Sequence, residues 1–183
     1  MNITLLVNLF SSLVVHQQSH CGCVYSCLAT LCDEIQGGQH DPAFFETAFP
    51  HRHCGEIPHL NMKQVLRRGC GKLRRPLRNY HVEHMDLNSH SSEDIQNFIR
   101  RQVETGPLVV GIPSPRHRCN GTNCAGRGPV DHAVVGLVVE EDKLLILNSW
   151  GKTWGEKGYA LVPLGSCEYA AAFVKDISGP GLL

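Results

Sequence analysis

The chain has 183 residues, 42% of them hydrophobic, enough for one domain or for two small lobes that share a core. Lys plus Arg and Asp plus Glu both number 17, so the formal net charge is zero. That balance argues against nucleic acid or an anionic membrane as the main partner, because both need a basic face.

The first segment, "MNITLLVNLFSSLVV", is apolar over about thirteen residues and too short to cross a bilayer. It reads as the core of a signal peptide, though without a basic start or a small-residue cleavage site. It reads equally as a buried strand leading into Gln17. No other segment is a transmembrane candidate. Val24 to Ile35 predicts a packed helix, ended by "QGGQHDP". "PHLNMKQVLRRG" predicts a short helix with Pro58 at its start and Gly69 at its end. The basic run Arg67 to Arg78 reads as a solvated loop and helix end. "SSEDIQNFIRRQVETG" predicts a further helix, with Ser92 as N-cap and Ile95, Phe98, Ile99 and Val103 as its apolar face.

The back half changes character. "PLVVGI" (Pro107 to Ile112) predicts a strand, followed by a long Gly/Pro/Cys loop. "HAVVGLVVEEDKLLILNSW" predicts two strands with a tight turn at Glu140 to Asp142. "GYALVPL" and "AAFVKDI" add two more. A helical lobe (about residues 17–105) followed by an antiparallel β lobe (about 106–183) makes an α+β chain, and a cleft between two lobes is a natural active-site position.

Nine cysteines are many for this length, and an odd number leaves one unpaired if all the others form bridges. Two N-glycosylation patterns, at Asn2 and Asn120, permit a secretory route without proving one. Eleven histidines make the surface charge pH-sensitive below about pH 7.

The chemistry concentrates near "VDHAVVGL" and "NSWGKTWGEKGY". Asp131-His132 starts one strand, and Asn148 comes sixteen residues later. If the strands form a hairpin, an Asn148 oxygen can accept a bond from one imidazole N–H of His132. That fixes the tautomer and leaves the other nitrogen for a nucleophile. Trp150 is placed to cover that bond and keep water from it.

This run, Val130 to Tyr159, resembles the His/Asn end of papain-family cysteine peptidases in "DHA", "NSWG", "WGE" and "GY", and weaker matches reach back to Gln17. The resemblance implies a papain-like α+β fold of two lobes with the active site in the cleft between them. It implies a cysteine endopeptidase with no cofactor, acting on a peptide or protein substrate as a monomer in a secreted or lysosome-like compartment. A protein inhibitor of cysteine peptidases is a further partner of that kind. Two other outcomes share the scaffold: an inactive homologue that binds peptides, and an acyltransferase.

In that family a Gln helps form the oxyanion hole, and the Cys follows six residues later at a helix start. Helix N-termini expose unpaired N–H groups and positive dipole charge, which stabilise a thiolate. Gln17 to Cys23 has that spacing, and it is also similar to the opening of bacteriocin-processing peptidases. A second register, with one residue deleted, aligns Cys21-Gly22 with the family pattern and again selects Cys23. A third, ungapped from Gln18, places Val24 at the nucleophile, and valine cannot attack a carbonyl. Cys27 and Cys32 read as small core residues. By resemblance Cys21 is a structural cysteine, with Cys54 its candidate partner.

The resemblance also implies a substrate groove. "GEIPHL" supplies Gly55 and Pro58, with Glu56 where a second glycine is expected, which would crowd a peptide backbone. Ile57, Pro58, Val130 and Ala133 match positions lining the main specificity pocket, with Asp131 beside them, and all four are apolar. An apolar residue two before the scissile bond is therefore expected. Relatives carry a long helical propeptide, whereas only sixteen residues precede Gln17. "HRHCGEIPH" and Cys119-x4-Cys124 contain ligand-type side chains, but the spacing is a weak zinc pattern without a second matching pair, and a disulfide-closed loop at Cys119–Cys124 is the stronger expectation in an oxidising compartment.

Overall fold

The computed structural model describes residues 3–10, 13, 22–48, 58–68, 77–113 and 130–176. Helices α1 (Ile3–Phe10), α2 (Cys23–Gln36), α3 (Pro42–Ala48) and α4 (Pro58–Arg68) come first. Strand β1 (Tyr80–Asp86) and helix α5 (Ser92–Val103) follow. Then come β2 (Leu108–Pro113), β3 (Val130–Glu140), β4 (Lys143–Leu147), β5 (Tyr159–Pro163) and β6 (Tyr169–Lys175). The strands form one sheet in the order β1-β6-β2-β3-β4-β5, and every neighbouring pair is antiparallel.

The central strands β2 and β4 are buried on both faces, which explains their unbroken apolar runs, whereas edge strand β1 is only partly buried. On β4, Leu145 and Leu147 face a core shared with α1 to α4, where Leu28, Leu31, Phe45 and Met62 pack. Leu144 and Ile146 face the opposite core, under Ile95, Phe98 and Ile99 of α5. Alternate residues of a strand point to opposite faces, so a run such as "LLIL" serves both cores. Gly136 of β3 fits because a Cβ there would meet Leu108 at 3.0 Å and Leu144 at 3.1 Å.

Three elements differ from the sequence expectation. Residues 3–10 form a helix rather than a strand. Ile3, Leu6, Val7 and Phe10 share its inner face, with Leu6 and Val7 fully buried and Leu5 and Leu9 exposed. The segment is apolar all round, and that hid its helical period. Strand β1 lies in the half expected to be helix and loop. Its partner is β6, some ninety residues away, and a local pattern cannot report such a pairing. Helix α5 starts one residue early: Ser91 is the N-cap, in a reciprocal capping box with Asp94.

Candidate active site

The site grows from the start of β3 and the turn that follows β4. Val135 pairs with Leu147, so continuing that register brings position 150 opposite His132. His132 is 6% exposed and Asn148 is fully buried. Their side chains meet at 2.9 Å, His132 Nε2 to Asn148 Oδ1. The amide oxygen can only accept, so Nε2 carries the proton and donates it. That leaves Nδ1 as the ring nitrogen not engaged with Asn148. Asn148 Nδ2 is buried and finds no hydrogen-bond partner among the described residues. Such an orphan donor costs about 1–3 kcal/mol, a burden the fold carries with Oδ1 held on the ring.

The indole of Trp150 stacks on His132, with ring centroids 4.7 Å apart and planes 29° apart. Trp154 meets Trp150 edge-on at 6.0 Å. The backbone beneath them is held by glycines. Asn148 N–H donates to the Gly158 carbonyl at 2.9 Å, and Gly158 N–H donates to the Trp154 carbonyl at 2.7 Å. At Gly155, whose φ is +56°, a Cβ would lie 2.3 Å from the Tyr159 carbonyl oxygen, so no other residue fits there without a backbone shift.

Helix α2 presents the thiols. Its N-cap is Gly22, which has no side chain to cap with, and Cys23 is its first residue. Among the described residues the free thiols are Cys23, Cys27 and Cys167. Cys23 is partly exposed, whereas Val24 and Tyr25 are buried in the core. Ser26, Cys27 and Thr30 line a cavity of about 10 Å³ together with Val135, Leu147 and Ser149. Ser149 joins Asn148 to Trp150. The beginning of α2 therefore lies against the turn that carries the His132 partners. Burial pushes the Cys27 thiol well above the ordinary range, with the neighbouring Cys23 adding to the effect.

The remaining sequence candidates are distributed unevenly. Val130 and Asp131 open β3 and Pro58 opens α4, while Ala133 is buried in the core beside α2. Gln17, Gly55, Glu56 and Ile57 lie outside the described residues, as do Cys21, Cys54, Cys119 and Cys124. Among the described residues no three His, Cys, Asp or Glu side chains could hold a metal ion, and no helix is long and apolar enough to cross a membrane. Sequence reasoning missed Ser26, Thr30 and Ser149, because serine and threonine carry no periodic signal that separates a buried seam from a surface.

The family description "Papain family cysteine protease" matches residues 55–175, about two thirds of the chain. The chain belongs to the papain family of cysteine proteases. Within this papain-family chain the matched span includes His132, Asn148, Trp150 and Trp154 and leaves α2 outside. Solved structures extend the likeness across the fold. The Carica candamarcensis cysteine protease CMS1MS2, solved in complex with E-64, is 18% identical with a TM-score of 0.62, covering 89% of this chain and 92% of that one. The ragweed pollen allergen Amb a 11 cysteine protease, in its proform, is 16% identical with a TM-score of 0.60, covering 92% of this chain and 64% of that one. A structure from work on the mite allergens Blo t 1 and Der p 1 is 19% identical with a TM-score of 0.60, covering 88% and 66%. No curated protein sequence matches.

Proposed function

We propose that this papain-family chain is a cysteine endopeptidase in which Cys23 is the nucleophile, His132 the proton carrier and Asn148 the residue that orients it. The observation that carries the reading is the buried His132 Nε2 to Asn148 Oδ1 bond under Trp150. It leaves Nδ1 to exchange a proton with a thiol, and Cys23 is the partly exposed thiol at a helix start. The positive end of the helix dipole at that first turn favours negative charge.

In this reading the Cys23 thiolate attacks the peptide carbonyl, and the developing oxyanion is held by the Cys23 backbone N–H and the Gln17 amide. His132 gives its proton to the leaving amine, and an acyl-enzyme forms. Water, deprotonated by His132, then releases the acid product. Val130 and Ala133, with Ile57 and Pro58, would favour an apolar side chain two residues before the scissile bond. Gly55, Glu56 and Asp131 would border the substrate. Peptide epoxide labelling of the reduced, folded protein tests the assignment. The expected result is one adduct, on Cys23, that is lost in His132→Ala. An adduct on another cysteine would move the nucleophile, and no adduct at all would leave a peptide-binding homologue as the better reading.

A further inference from the structure

We propose that Cys23 and Cys27 form a reversible redox pair, in which Cys27 closes an intrahelical disulfide on a Cys23 that a hydroperoxide has oxidised. The proposal rests on Cys23 being the reactive thiol, as argued above, and adds a regulation of that same site. Both cysteines are free and stand four residues apart on α2, so they share one face of the helix. On a regular helix their Cα atoms are about 6 Å apart, inside the range of about 4.4–6.8 Å that disulfides span. Their Cβ atoms are about 5–6 Å apart, so the turn must tighten by about 1–2 Å to close the bond.

The local structure allows that movement. Cys23 is the first helical residue, where the N–H has no partner within the helix, and Gly22 precedes it as N-cap. The cavity beside Cys27, of about 10 Å³, gives its sulfur room to turn. Cys23 is also close enough to Cys27 to push the Cys27 thiol further up. Their exposures set the order of events. Cys23 meets solvent, while Cys27 is buried and resists ionisation, so a solvent-borne oxidant reacts at Cys23 first.

Each step balances. The Cys23 thiolate attacks one peroxide oxygen, the S–O bond forms, the O–O bond breaks, and the departing hydroxide takes up a proton. The Cys27 sulfur then attacks the Cys23 sulfur, the S–S bond forms and the S–O bond breaks. The hydroxide that leaves takes the Cys27 proton as water. Two electrons pass from the sulfurs to the peroxide, and an external thiol returns them by exchange.

The test uses the full chain and needs no variant for its main readout. Protein treated with hydrogen peroxide, then denatured and alkylated without reduction, is cleaved with chymotrypsin. Tyr25 lies between the two cysteines, so cleavage there leaves their fragments joined only by the disulfide. The expected result is a Cys23–Cys27 linked pair, absent before peroxide and lost with dithiothreitol. Epoxide labelling of Cys23 should fall and recover in parallel. In Cys27→Ser and Cys27→Ala the same treatment should carry Cys23 on to sulfinic acid, a change dithiothreitol does not reverse. A Cys23 linked to Cys21 instead, or one that reaches sulfinic acid in the unaltered chain with no linked pair, would overturn the proposal. Linkage is read by mass and peptidase activity by turnover, so the two readings can fail separately.

Discussion

At the scale of single residues, His132 is held by Asn148 and covered by Trp150. Removing the Asn148 amide in Asn148→Ala frees the imidazole to turn and exchanges a fixed tautomer for a mixture. On the proposed mechanism, the expected loss in kcat/KM is on the order of 10²-fold, against about 10⁴-fold or more for His132→Ala, which removes the proposed proton carrier. Assay on an apolar-P2 peptide checks both, and equal losses would assign Asn148 more than orientation. The many histidines do not titrate together. Asp176 and Glu83 hold His81 above the ordinary 6.5, at 2.6 Å and 3.2 Å, whereas burial and the Lys63 charge hold His84 below it. As pH falls, His81 should take its proton before His84, and ring-proton NMR shifts give that order directly. The His132 and Asn148 pairing was legible in the sequence because hairpin register is short-range. The burial of Val24 beside a partly exposed Cys23 was not, because both fit the same helical pattern and only packing separates them.

At the scale of elements, caps and tethers explain which segments hold. Helix α5 begins with the Ser91/Asp94 box, carries Glu93 and Asp94 in its first turn and Arg100 and Arg101 in its last, all favourable to the helix dipole. Ser91→Ala should cost about 1 kcal/mol in urea unfolding, and Ser92→Ala much less; the reverse order would move the cap back to the position expected from sequence. Arg100 reaches across to the Glu141 carbonyl at 2.7 Å, in the β3–β4 turn, where Glu141 has a φ of 56°. Helix α1 is tied to the sheet by the Tyr159 hydroxyl, which donates to the Phe10 carbonyl. Its own eight residues are too few for a stable isolated helix, so packing of Leu6 and Val7 must hold it. That dependence is why its helical state could not be read locally.

At the scale of the whole molecule, one sheet separates two cores, and its stability is concentrated in residues that both halves of the chain supply. Leu145 is fully buried in the core that the sheet shares with α1 to α4, so Leu145→Ala should cost about 2–5 kcal/mol, while the exposed Leu9→Ala should stay within about 0.5 kcal/mol. Urea midpoints of the two variants check the contrast. Burial pushes the Tyr159 hydroxyl and the Cys167 thiol each up to about 12, from ordinary values of 10.0 and 9.0. The folded state therefore keeps protons that the unfolded chain releases. That stability is whole below about pH 9 and is lost as pH rises toward 12. Urea midpoints should fall between pH 9 and pH 11, and less steeply in Tyr159→Phe with Cys167→Ala; an unchanged slope would place the cause elsewhere. The sequence by itself determined the α+β class, the order of most elements and the His132/Asn148 motif, because these depend on hydrophobic period, turn residues and spacing within one hairpin. Only the tertiary structure decided that residues 80–86 join the sheet through β6 and that residues 3–10 are helical. It alone set the start of α2 against the turn at Ser149. Those outcomes depend on contacts between segments far apart in the chain, whose energies no local pattern contains.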